Sequence, residues 1–414
     1  MIKNKDLIYG FCIQNDLQDV TDYSKDKFLD YQIKYNVALQ NIRFEVMKSY
    51  DLRIYKAKST PSKKSDVIFT FIYFIFNSRL DYIKNSLKSI CEQTWEKIEV
   101  IFVFNGIREI EIHNIKEILS EVQNVINRNI SIQIIDVTKN LWEPLSEESK
   151  DPFTNLWNLA TWIAEGDFIT FLSWDDLISR NYCTEMIGLL QSNEECLSAA
   201  PLPVSIDLNG NVNVQRSAEF QKKNIRERYT LGHILVNSYI ENENLIRFPG
   251  EIMCFNRHYL IEYGGVDSFN DLSQIIRLSL KGYSGFTSKA QLYWRHHEQQ
   301  TNKILAKEGY VFSEKIINTL ISDELEKLYC DLNHADLYQK VTRYVKEVSA
   351  QHAKSALIIS AQTYGFVSSV KSFVNVIDQT QSLRLKLYFF YILIKHNCIR
   401  ILYNSKTFFC SIRK

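Results

Sequence analysis

The chain has 414 residues, more than one ordinary domain, and its 45% hydrophobic and 13% aromatic content can fill a sizeable core. A formal net charge of +1 supplies no overall basic field, which argues against a nucleic-acid partner. The eight cysteines (Cys12, Cys91, Cys183, Cys196, Cys254, Cys330, Cys398 and Cys410) are scattered, with no Cys-x-x-Cys pair and no Cys/His cluster at zinc spacing. They read as reduced, mostly buried thiols of a cytoplasmic protein. No secretory leader is expected from the polar N-terminus, and no run reaches the ~18 apolar residues a membrane span needs.

Residues 1–64 are expected to form a helical extension, because Phe28, Tyr31, Tyr35, Leu39, Ile42 and Val46 recur at three- and four-residue spacing after a Ser24 cap. The polar run Lys58–Ser65 reads as the linker that closes it. From residue 65 to 304 strand-like and helix-like segments alternate. Val67–Phe76 is continuously apolar, as a strand buried on both faces would be. A helix is expected over Tyr82–Glu92, a strand over Glu99–Phe104, a helix over Glu109–Ile126 and a strand over Ile132–Val137. Leu156–Ala164 is a further helix, and Phe168–Trp174 a fourth strand. This order predicts an α/β fold with a largely parallel sheet and right-handed crossovers. Ligands of such sheets sit beyond the carboxyl ends of the strands, where Asn105-Gly106 and Asp175-Asp176 fall. Residues 305–414 read as a helical C-terminal extension.

After Asp378 there is no acidic residue, while Arg384, Lys386, Lys395, Arg400, Lys406, Arg413 and Lys414 are basic. Interleaved with Leu387–Ile394 and Phe408-Phe409, they make residues 379–414 a cationic amphipathic tail suited to an anionic membrane surface. The competing reading is a helical cap with a basic solvent face. The protein is accordingly expected in the cytoplasm, either free or peripheral on the inner face of the cell membrane.

The most telling segment is Phe168-Ile-Thr-Phe-Leu-Ser-Trp-Asp175-Asp176. Two adjacent carboxylates at the end of a buried strand cost desolvation unless something cationic compensates, and a divalent cation held against a phosphate is one such partner. Around it, four blocks resemble the family 2 glycosyltransferases. Asn77-Ser-Arg-Leu-Asp through Ser89-Ile-Cys-Glu-Gln93-Thr and on to Asn105-Gly106 is similar to the family's opening. Leu156-Trp157-Asn158 through Trp174-Asp175-Asp176 resembles its metal-binding signature and approach. Gly264-Gly265-Val-Asp-Ser-Phe-Asn270-Asp271 followed by Arg277 resembles the segment of its catalytic base. Tyr293-Trp-Arg295-His-His297 looks like its late Arg-x-His element.

The resemblance implies the nucleotide-sugar-binding GT-A fold, flanked by the helical extensions. It also implies an enzyme that is metal-dependent and inverting, with Mg²⁺ or Mn²⁺ as cofactor. The donor would be a nucleotide sugar and the acceptor a saccharide or lipid-linked saccharide, as in bacterial surface polysaccharide synthesis. In that frame Asp176 is the direct metal ligand, and Asp175 ligates, contacts ribose or acts from behind. Asp271 is the general base that takes the acceptor proton, with Asp267 a nearby alternative. Arg295 and His297 reach the diphosphate or metal, with His296 a rival. Asn77, Asn105, Trp157, Asn158 and Trp174 are donor-side candidates, Trp157 being either a base-stacking ring or core. Glu251 is the acceptor-side candidate.

Phe104, Ser173 and Asn270 stand where the family usually has acids. That keeps open a catalytically silent scaffold that binds partners. A sugar nucleotidyltransferase fits less well, because Val67–Arg79 lacks the Gly-rich basic loop.

Overall fold

The computed structural model describes residues 4–24, 51–57, 67–75, 79–106, 110–138, 152–223, 228–241, 253–266, 274–297, 321–359, 370, 387 and 389–395. It divides into two compact units, Met1–Arg295 and His296–Lys414.

Among the described residues, the first unit is built on one sheet of eleven strands. In chain order these are β1 (Leu17–Asp19), β2 (Leu52–Ala57), β3 (Phe69–Ile75), β4 (Ile98–Asn105), β5 (Ser131–Val137), β6 (Phe168–Leu172), β7 (Leu177–Ile178), β8 (Cys196–Ile206), β9 (Arg228–Leu231), β10 (Cys254–Asn256) and β11 (Tyr283–Arg295). Strands β5, β4, β3 and β6 lie side by side and parallel, as the alternation of elements predicts. Every residue of β3, β4 and β6 is buried, which explains why they are uninterrupted apolar runs rather than alternating ones. Helices Leu80–Cys91 and Ile112–Ile126 supply crossovers, each burying a stripe at helical spacing: Tyr82, Ile83, Leu87 and Ile90 on one, Ile115, Ile118, Leu119, Val122 and Val125 on the other.

Beyond β6 the sheet turns mixed. Strand β10 pairs antiparallel with both β6 and β8, and β11 runs parallel to β8 and antiparallel to β7 and β9. The path β8-β11-β7 places β11 between the end of β8 and the short strand after Asp176.

One expectation is corrected at the N-terminus. The segment before residue 64 is not only helical: after helix Asn4–Gln14, β2 pairs antiparallel with β5 and β1 antiparallel with β2, extending the sheet. Leu52, Ile54 and Tyr55 are buried against exposed Arg53, a short half-buried strand that the helical periodicity of residues 28–46 overshadows. Those helical positions lie outside the described residues.

At the amino-terminal ends of the central strands sits a buried polar knot. The Glu99 carboxylate accepts from Thr70 Oγ1 at 2.7 Å, Gln133 Nε2 at 2.7 Å and the Glu165 amide at 2.9 Å. It thereby ties β3, β4 and β5 to the residues after helix Pro152–Ile163, with every donor answered.

The second unit contains helices Asp323–Asp331 and Ala335–Ile359, the first capped by Ser322 Oγ accepting from the Leu325 amide at 3.2 Å. Residues 387 and 389–395 are also helical.

Candidate active site

Strand β6 delivers Asp175 and Asp176 to the edge of the sheet where β3 and β4 also end. The turn is closed by the Asp176 amide donating to the Ser173 carbonyl at 3.3 Å. Neither carboxylate stands out in solvent; Asp175 is 8% and Asp176 5% exposed. A buried acidic pair needs compensation nearby, and the last residue of β11 supplies a hydrogen bond to one of its oxygens.

The Arg295 amide donates to Asp176 Oδ1 at 3.0 Å, and Arg295 Nε donates to the Asp175 carbonyl at 2.9 Å. Its Nη1 donates to the carbonyls of Asp207 at 3.2 Å and Leu208 at 3.1 Å. The guanidinium also lies 4.5 Å from the centre of the Tyr82 ring. Tyr82 in turn stacks on Trp174, with ring centres 5.9 Å apart and planes 22° from parallel. Beneath this layer Tyr73 donates its hydroxyl to the Trp174 carbonyl at 3.2 Å. Burial, reinforced by the charges of Asp175 and Asp176, pushes the Tyr73 hydroxyl well above its ordinary value, so it stays a protonated donor.

The Ser-x-x-x-Gln-Thr stretch proves to be the brace behind the acidic turn. Gln93 Nε2 donates to the Ser179 carbonyl at 2.9 Å while its Oε1 accepts from the Cys183 amide at 3.0 Å. Ser89 Oγ accepts from the Ile178 amide at 3.3 Å, and the Thr94 amide donates to the Arg180 carbonyl at 2.9 Å. Helix Leu80–Cys91 is thus sewn to the chain leaving the acidic pair. Sequence reading finds the motif but not this purpose, since each partner lies more than eighty residues away.

A second buried clamp surrounds Gly264-Gly265. Asn158, fully buried, donates from Nδ2 to the Val266 carbonyl at 2.7 Å and accepts at Oδ1 from the Val266 amide at 2.9 Å. Arg277, from the π-helical turn Gln274–Leu278, donates to the carbonyls of Tyr263 and Gly265. Gly265 has φ +80, and a Cβ there would sit 2.0 Å from Asn158 Oδ1, so both backbone and space demand glycine. The clamp holds both flanks of residues 267–273.

The sequence candidates therefore separate by place. Asp175, Asp176, Trp174 and Arg295 are brought together, and Asn105 lies buried at the end of β4 on the same edge of the sheet. Asn158 holds the Gly264–Val266 turn. Trp157 is corrected to core: it is buried and stacks on Phe171 at 4.3 Å and 11°, with Phe74 at 6.1 Å, so its face is taken by side chains. The Arg295 guanidinium bonds backbone carbonyls of its own chain. His297 is buried, two residues past the end of β11. Asn77, Glu251, Asp271, Asp267 and Asn270 lie outside the described residues.

Among the described residues no group of three or more His, Cys, Asp or Glu side chains forms a metal cage. The chemistry of the acidic pair nonetheless fits Mg²⁺ or Mn²⁺, hard cations that accept one or two carboxylates and complete their shells with water and phosphate oxygens.

The model of the family described as Glycosyl transferase family 2 matches residues 70–240. No curated protein sequence matches the chain. Among solved structures, S. aureus TarS residues 1–349 in complex with UDP-GlcNAc is similar at 15% identity and a TM-score of 0.52, over 82% of this chain and 92% of that one. That likeness shows the fold. TarS 1–349 without the ligand is 13% identical with a TM-score of 0.48, over 82% of this chain and 92% of that one. A longer TarS structure is 15% identical with a TM-score of 0.47, over 80% of this chain and 54% of that one, so this chain spans about half its length.

Proposed function

We propose that this chain, whose residues 70–240 match the model of glycosyl transferase family 2, is a glycosyltransferase that performs a metal-dependent, inverting transfer from a nucleotide-sugar donor to a saccharide or lipid-linked acceptor. The observation that carries the reading is the buried Asp175-Asp176 pair at the carboxyl end of a parallel sheet, locked in place by the last residue of β11.

In this reading Asp176 and Asp175 hold Mg²⁺ or Mn²⁺, which when bound offsets negative charge on the departing diphosphate. Asp176 is oriented for that by the Arg295 amide at Oδ1, and Asp175 by the anchoring of its own carbonyl. Asp271 takes the proton from the acceptor hydroxyl as that oxygen attacks the anomeric carbon. A single base acting opposite the leaving diphosphate inverts the configuration. The Asn158 and Arg277 clamp fixes the chain on either side of the segment that carries Asp271. Glu251 supports the acceptor side. A role in bacterial surface polysaccharide assembly follows the resemblance of the four sequence blocks.

UDP-GlcNAc, the ligand of the TarS structure, is the donor to test first. With Mn²⁺ and a panel of saccharide and lipid-linked acceptors, the wild-type chain should turn over donor, and Asp271→Ala should lower kcat by ~10²–10⁴-fold, the usual worth of a general base. Asp176→Ala should abolish the response to Mn²⁺. Wild-type turnover in both variants would remove the site assignment and leave a silent scaffold.

The same reading includes an anionic membrane surface as the partner of residues 379–414. Support comes from the helical residues 387 and 389–395, where Phe389, Ile392 and Leu393 are buried while Leu387, Tyr391 and Ile394 are exposed. No helix among the described residues is long and apolar enough to cross a membrane.

A further inference from the structure

Arg295 combines a charged side chain only 2% exposed with guanidinium bonds to backbone carbonyls of two separate turns. By sheet order β11 lies between β8 and β7, and Arg295 stands in register with Ile206, the last residue of β8. One flank of Arg295 therefore faces the acidic turn that precedes β7, and the other faces the turn that leaves β8.

That second turn is built by Asp207. Its carboxylate accepts from the Asn209 amide at 2.8 Å and the Asn211 amide at 2.9 Å, and these bonds hold it below the ordinary carboxylate range. Gly210, with φ +85, closes the turn by donating its amide to the Asp207 carbonyl at 3.1 Å. That carbonyl is one of the two in this turn that the Arg295 guanidinium takes; a third, from Asp175, binds Nε. A planar guanidinium can serve three carbonyls in different directions at once, whereas an ammonium on a flexible stem cannot reproduce the fork.

We infer that Arg295 is a positioning residue that locks the Asp175-Asp176 turn to the Asp207–Asn211 turn, setting the geometry of the acidic pair instead of contacting the diphosphate. The inference rests on the glycosyltransferase reading for what the acidic pair does, and on the hydrogen bonds alone for what Arg295 does. It predicts a specific division of effects. Loss of the fork displaces the carboxylates, so it weakens whatever depends on a divalent cation. It leaves untouched the affinity for a diphosphate that binds without one.

The test is calorimetric titration of UDP into the full chain, in EDTA and across a Mn²⁺ series, for wild type, Arg295→Lys and Asp207→Ala. Arg295→Lys keeps the charge and loses the fork; Asp207→Ala loosens the second turn while keeping the backbone carbonyl that Arg295 binds. Both should bind UDP in EDTA within about twofold of wild type, yet need about tenfold more Mn²⁺ for half-maximal enhancement of UDP binding, a shift smaller than the ~10²-fold cost of an ångström-scale misplacement at the chemistry. A tenfold loss of UDP affinity in EDTA confined to Arg295→Lys would mean direct diphosphate contact and overturn the inference. So would an unchanged Mn²⁺ requirement in both variants. If Arg295→Lys does not fold, Asp207→Ala decides alone, and a wild-type Mn²⁺ requirement there overturns the inference. A wild-type chain that binds no UDP under any condition would instead sink the UDP-sugar reading on which the experiment stands.

Discussion

Asn158 sits two residues into the Leu-Trp-Asn stretch that the sequence marks as donor-side, and it is spent entirely on the backbone of Val266. Removing it leaves a buried amide and a buried carbonyl without their partner, each costing ~1–3 kcal/mol. Asn158→Ala should therefore lower the free energy of unfolding by about 2 kcal/mol or more in urea denaturation, with a lower kcat because the Asp271 segment loses one anchor. Full stability in that variant would show that the clamp is not tight. Trp157, its neighbour, illustrates the limit of motif reading at this scale. A Trp before Asn is compatible with a base platform or with core, and only the position of Phe171 against its ring decides.

Elements carry the site because the central strands are parallel and buried, so their carboxyl ends share one edge while their amino ends share the other. The Glu99 knot lies at the amino end, away from Asp175 and Asp176. Glu99→Ala would take an acceptor from the buried Thr70 hydroxyl, the buried Gln133 amide and the half-buried Glu165 backbone amide. It should destabilise the chain by roughly 3 kcal/mol or more, measured by thermal or urea unfolding, while turnover per folded molecule stays at the wild-type level. A loss of turnover without loss of stability would contradict the separation of the two ends. The order of strands and helices from residue 67 to 176 is legible in the sequence, since apolar runs of strand length alternate with stripes at helical spacing. Strands β7 and β9 are two and four residues long, too short for any periodicity to register. Strand β2 is missed for a related reason, because a half-buried strand of six residues gives a weaker pattern than the helical spacing before it.

At the scale of the molecule, the two units pose separate questions. The first, Met1–Arg295, contains the acidic pair and the residues that brace it; the second, His296–Lys414, ends in the basic segment. If that segment meets an anionic surface, vesicles with acidic phospholipid should sediment the full chain and release it in high salt, because Lys and Arg act on such a surface through a field that salt screens. Truncation after Asp378 should abolish co-sedimentation while leaving turnover of a soluble acceptor in place. Equal partitioning of the two proteins, or self-association that accounts for the exposed Leu387, Tyr391 and Ile394, would defeat the membrane assignment.

The sequence by itself determined the α/β class, the order of the central elements, the acidic pair and the family resemblance. All of these are local patterns, written in runs of a dozen residues whose spacing or chemistry is visible without knowing what they touch. The tertiary structure alone decided that Arg295 turns to three backbone carbonyls, that Asn158 and Arg277 clamp a glycine turn about a hundred residues from Asn158, and that Gln93 braces the chain after Asp176. Those roles depend on which strand lies beside which, and the placement of β11 between β8 and β7 leaves no mark on the sequence near Arg295. The buried carboxylates make the difference physical: their position in the chain is a local fact, but the residue that hydrogen-bonds Asp176 Oδ1 and anchors the Asp175 carbonyl stands about 120 positions later.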